Sequence, residues 1–179
     1  HNTGPDGLAP NPPVHRALGA VLNLGRSLPF LVLMAAIIPF TRLVAGTTIG
    51  VWAAVVPMSV AGVPFFARLA ENALRDVPAE ATRVGRACGG TVLQVVRTAQ
   101  VGEAVPGLIG AVTISTIAMI EYSAIAGSIG AGGVGYVAVA YGYQRFDGHA
   151  MVGAVVLLVL TVAVVQLVGD LLARRAAPG

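Results

Sequence analysis

Within the apolar run from Gly107 to Ala126 there is one carboxylate, Glu121, followed by Tyr122 and Ser123. An acid at membrane depth costs about 2.5–3.5 kcal/mol on insertion scales and normally faces a cavity or a partner. Bond-making chemistry has little to draw on. His1, His15 and His149 all fall outside the apolar runs, and Glu121 is the only mid-span acid. Neither paired acids nor a Ser–His couple can be assembled at that depth. The single cysteine, Cys88, excludes an internal disulfide and a cysteine-based metal cage. The run Gly127 to Gly135 lacks the Lys-Ser/Thr ending of a phosphate-binding loop, and no strand precedes it. It reads as a flexible loop or re-entrant segment. The expectation is no catalytic residue, no metal site and no enzyme.

The elements that must position these residues are set by composition. Of 179 residues, 56% are hydrophobic and 11% are charged, with a mean hydropathy of +0.81; soluble domains carry about 25% charge. That excludes disorder. A net charge of +3 without a basic cluster excludes a nucleic-acid partner. A membrane needs about 20 apolar residues per helical crossing. Four runs qualify: Ser27 to Ala45, Ile49 to Ala67, Gly107 to Ala126 and Ala150 to Gly169. The predicted class is all-α, a polytopic membrane helix bundle of about four transmembrane helices in the lipid bilayer. All 11 basic residues are Arg. Nine of them precede the first run, lie between the second and third, or follow the fourth. The excess of basic residues in cytoplasmic loops then places both ends and the central segment in the cytoplasm. Small residues recur along Gly107, Ala111, Ser115, Ser123 and Gly127, a stripe that suits close helix packing or a path. Pro39, Pro57 and Pro64 read as hinges or fixed bends.

Residues 1–26 read as an N-terminal linker and lead-in, and 176–179 as a tail around the membrane domain 27–175. The Pro- and Gly-rich start suggests either a fragment or a short natural tail. Between Arg68 and Pro106 the composition shifts, with nine of the 19 charges there. Glu71 and Arg75 make a favourable i,i+4 pair. Pro78 and Glu80 suit a helix start, Gly89-Gly90 a break, and Thr91 a cap for a second short helix. Helix, glycine elbow, short helix is a surface built to dock something or a solvated loop, and apolar residues at helical spacing favour docking.

Several motifs resemble the permease subunits of bacterial methionine-type ABC importers. They include Ile38-Pro39-Phe40-Thr41-Arg42, Gly46-Thr47-Thr48-Ile49-Gly50, Pro64-Phe65-Phe66-Ala67-Arg68, Gly130-Ala131-Gly132-Gly133-Val134-Gly135 and Tyr141-Gly142-Tyr143-Gln144-Arg145-Phe146. The match runs from about Arg16 to Arg175. The resemblance implies a five-span fold with one span upstream of His1, in the bacterial cytoplasmic (inner) membrane. It also implies a homodimer, a separate ATP-binding cassette ATPase and a substrate-binding lipoprotein. No cofactor would be bound by this chain, with ATP on the partner. The family's cytoplasmic Glu-Ala-Ala motif has a Gly six residues after the Glu. In register with Gly89, the Glu position falls on Arg83, and Glu80-Ala81 looks like the motif displaced by one turn. Glu80, Ala81, Arg83, Arg86, Gly89 and Gly90 are the implied ATPase-coupling residues, and Pro78 to Gln94 is expected to form the coupling helix.

The implied activity is import of methionine, L or D, or a similar small amino acid by alternating access. The alternatives are an ion-coupled secondary transporter and a non-transporting scaffold. A zwitterion with an apolar thioether needs a few polar groups among apolar ones. Glu121, Tyr122, Ser123 and Ile125 are therefore expected along the substrate path. Arg145 and Asp147 are the charges offered to a binding protein on the outer side.

Overall fold

The computed structural model of the chain describes residues 11–177, which are helical and contain no strand. Helix α1 (Pro12–Ser27) begins where the Asn11 side chain accepts a hydrogen bond from the Val14 N–H at 3.4 Å. Proline occupies its first turn, where an N–H would have no partner anyway. The lead-in expected as linker is therefore a helix from Pro12 onward. Asn11-Pro12-Pro13, inside the stretch expected as linker, is a helix start. The remainder of that linker, residues 1–10, lies outside the described residues, as do 178 and 179 of the expected tail.

The run expected as one first span, Ser27 to Ala45, is two short helices, α2 (Phe30–Ala36) and α3 (Ile38–Ala45). The axis bends at Ile37 (φ −96°, ψ 14°). Pro39 has no N–H to give the Ala35 carbonyl, and its ring crowds that turn. Gly46, at φ +71°, closes α3. Helix α4 (Val51–Arg75) carries Pro57 and Pro64 inside it without interruption. Both α1 and the α2–α3 pair pack on α4.

A short helix α5 (Ala79–Ala87) and a single turn α6 (Val92–Val95) lead into a wide π-helical turn, Val96–Gln100. Helix α7 (Val101–Ala126) follows, and a second π-type segment, Gly127–Ala131, ends it at non-helical Ile129 and Gly130. After Gly132 the helix resumes as α8 (Gly133–Tyr136) and a third π segment, Val137–Tyr143. Helix α9 (Gly148–Ala176) completes the described chain. Among the described residues, three helical stretches are long and apolar enough to cross a membrane: Val51–Arg75, Val92–Ala131 and Gly148–Ala176. The third predicted span is thus the upper part of a 40-residue helical stretch.

Helix α7 is the axis of the bundle, with α4 on one side and α9 on the other. Glycines set both contacts. A Cβ on Gly62 of α4 would sit 2.9 Å from the Met119 Cε, and one on Gly169 of α9 would collide with Thr113. The outward surface of α9 shows Leu157, Leu160, Val164 and Leu167, each about half exposed or more. An exterior this apolar is matched to lipid rather than water.

Candidate functional site: coupling elbow and mid-membrane face

The elbow between α5 and α6 is built by glycine. Gly89 takes φ +77°, its N–H donates to the Arg86 carbonyl at 3.0 Å, and the Gly90 N–H donates to the Gly85 carbonyl at 3.1 Å. These two bonds form a Schellman closure that satisfies carbonyls left open at the helix end. Thr91 then caps α6: its hydroxyl accepts from the Gln94 N–H at 3.4 Å, and the Gln94 Oε1 accepts from the Thr91 N–H at 2.9 Å. This is a capping box, which fixes the direction of the second helix. Val95, 1% exposed, packs against Gly85 and Gly90, whose missing Cβ atoms make room for it.

None of the residues of α5 is buried. Glu80, Arg83 and Arg86 are exposed, Ala81 is half-buried, and apolar Val84, Val92 and Leu93 ring the elbow uncovered. The expected coupling residues are therefore together on one projecting unit, although the helix proper is Ala79–Ala87 rather than Pro78 to Gln94. Next to it, Glu71 accepts from Arg68 at 2.6 Å and Arg75 at 2.7 Å, holding the end of α4.

Ser123, Val134, Gly135 and Leu158 line one cavity of about 310 Å³ between α7, α8 and α9. Leu158 lies near the centre of the uncharged run Ala150 to Gly169. Ser123 is therefore near the middle of the apolar layer, and Glu121 lies only about 3 Å along the axis from it. The four predicted path residues share this depth but not one face. Tyr122 turns inward and stacks flat on Phe30 (centroids 4.4 Å, planes 9° apart), beside buried Leu33, Ala61 and Ala126. Ser123 faces the α8–α9 cavity with Thr116 and Thr161. Glu121 and Ile125, four residues apart, point out from the face of α7 that neither α4 nor α9 covers. Glu121 has no ion-pair or hydrogen-bond partner among the described residues.

The Gly-rich run is a break in a membrane helix, not a long loop. Gly130, Gly132 and Gly133 take φ of +114°, +82° and +79°, and Gly135 approaches Ala124 so closely that any Cβ would meet its carbonyl. At the far end of this segment Arg145 lies 4.5 Å over the Tyr141 ring, and Tyr136 meets Tyr141 edge-on at 6.1 Å. Asp147 caps α9 by accepting from the His149 and Ala150 N–H groups at 3.0 and 3.1 Å. Arg145 and Asp147 are thus on one exposed turn, with Phe146 at φ +56° between them. Sequence reasoning missed the Phe30–Tyr122 stack, which joins residues far apart in the chain. It also missed the Gly85–Val95 packing, for which the nearby Gly89-Gly90 was the available signal.

The geometry agrees with what the chain is similar to. The sequence profile of the family described as "binding-protein-dependent transport system inner membrane component" matches residues 6–179. A probable D-methionine transport system permease protein MetI of Vibrio cholerae is 47% identical over 98% of this chain and 78% of its own length. The corresponding protein of Haemophilus influenzae is 39% identical over 97% of this chain and 81% of its own length. A chain from a solved structure of the MetNI methionine ABC transporter in inward-facing conformations superposes with a TM-score of 0.94. It has 41% identity and covers 99% of this chain and 82% of that one. On the extent of these matches, the chain belongs to the family of binding-protein-dependent transport system inner-membrane components.

Proposed function

We propose that this chain is the multi-pass permease subunit of an ATP-driven importer of methionine, working in the cytoplasmic membrane by alternating access. The observation that carries this is the superposition, at a TM-score of 0.94 and 41% identity, on a chain of a methionine ABC transporter. A permease of this kind does no bond chemistry. It changes between inward- and outward-facing states because its partners bind the two states with different affinity.

In this reading a partner ATPase hydrolyses ATP and receives α5 and its elbow, with Val84 and Leu93 as the apolar contacts and Arg83 and Arg86 as the charged ones. The unburied surface of α5 supports that role. Nine of 11 Arg on one side support a cytoplasmic C-terminus. A second copy of the chain completes the passage at the uncovered face of α7. Arg145 and the turn around it meet a substrate-binding lipoprotein on the outer side. The chain itself binds neither a cofactor nor nucleic acid.

The test is uptake of labelled L- and D-methionine into proteoliposomes holding the chain, its ATPase and its binding protein. ATP-dependent accumulation of either enantiomer is the expected result. Uptake no greater than with a hydrolysis-dead ATPase would refute the proposal.

A further inference from the structure

We infer that the Glu121 carboxylate is the counter-charge for the substrate's ammonium group at mid-membrane, an inference that rests on the amino-acid import reading above. Glu121 is the only acid in the apolar core of the spans. Its depth is fixed by Ser123 and Leu158, which share a cavity at the centre of the apolar layer. Among the described residues no Arg neutralises it. Arg68 and Arg75 are held by Glu71, and Arg145 lies over Tyr141. Facing lipid, such a group would carry an insertion cost with nothing to offset it. Facing a watered passage, a carboxylate attracts a cation.

The face it occupies has the matching character. Gly110, Ile114 and Ile125 lie along the same side of α7, and the Cβ position of Gly110 has nothing within 4 Å. Small and apolar groups around one carboxylate suit a molecule with an aliphatic or thioether chain and a single ammonium. Tyr122 is stacked on Phe30, and Ser123 lines the cavity between α7, α8 and α9. In a two-fold dimer the same surface meets itself, so two such carboxylates would flank one passage and hand the ammonium between them. Glu121 thereby acts on the rate at which a delivered substrate crosses, not on its capture by the binding protein.

The experiment compares wild type, E121Q, E121D and E121K in proteoliposomes containing the complete transporter, with binding protein varied to saturation. E121Q is expected to lower the maximal methionine uptake rate ten-fold or more, and E121K further. The half-saturating concentration of binding protein and the assembled size of the complex should not change. E121D should recover at least a third of the rate. E121Q within two-fold of wild type overturns the inference. A lost or dissociated complex, or an effect confined to half-saturation, overturns it too and makes Glu121 an assembly contact. Absence of methionine uptake by wild type overturns the function reading itself and is distinguishable from these outcomes.

Discussion

Replacing Gly89 by Ala tests the elbow that presents α5. Gly89 sits at φ +77°, and a Cβ built on it has nothing within 4 Å. The cost of Ala is therefore backbone strain alone, about 1 kcal/mol for a left-handed residue with a Cβ. At about 1.4 kcal/mol per ten-fold, that corresponds to roughly a five-fold loss of the closed elbow against conformations in which α5 swings free. Asn tolerates the left-handed region, so Gly89→Asn should lose less than about two-fold. Gly90→Ala is the contrast. Its Cβ would lie 2.8 Å from the Gly85 carbonyl oxygen and 3.2 Å from a Val95 methyl, a steric collision that Asn cannot relieve. The assay is ATP hydrolysis stimulated by loaded binding protein in proteoliposomes, with amide hydrogen exchange across 79–95 as the structural readout. The expected order of stimulation is wild type, G89N, G89A, G90A. If G89A matches wild type, or G89N is as impaired as G89A, the left-handed glycine does not set the elbow and the reasoning fails.

Tyr122→Phe should keep the stack on Phe30 and leave the melting temperature in detergent within a degree or two. Tyr122→Ala should cost about 3 kcal/mol by opening the cluster with Leu33 and Ala61. Gly169→Ala should lower the same melting temperature by overpacking against Thr113, by about 1–3 kcal/mol, and a second change, Thr113→Ala, should recover part of it. Asp147→Ala should destabilise the start of α9 by about 1 kcal/mol, seen as faster exchange at the His149 and Ala150 amides. Asp147→Asn should behave nearly as wild type, because it keeps the accepting oxygen.

The sequence is most informative where one local rule suffices. The apolar runs of α4, α7 and α9 and the break at Gly89-Gly90 follow from hydrophobicity and glycine freedom. The fold departs from that reading where two local signals compete. Pro39 outweighs the hydrophobicity of its run and bends it at Ile37, and Asn11-Pro12-Pro13 starts a helix where a linker was expected. At the candidate site, the depth of Glu121 to Ile125 could be read from their place in a span. Their division among three faces could not, because it depends on which side of α7 meets α4 and which meets α9. That choice is fixed by long-range pairs such as Gly62 with Met119 and Gly169 with Thr113, which leave no trace at any one position.

The wide turn at Val96–Gln100 has a consequence for azimuth. Its closing bond runs from the Val101 N–H to the Val96 carbonyl, five residues back, so the segment holds one residue more than an α-helix needs. Each α-helical residue turns the chain by about 100°. The turn absorbs that extra residue within about one revolution, so deleting one residue here would leave a regular α-helix with both flanks near their present bearings. Deleting one between Val101 and the first contacts of α7 would instead swing the elbow by about 100°. The spacer is therefore a place where the length of the chain can change by one residue while the compass bearing of the elbow is kept, independently of how firmly the elbow is folded.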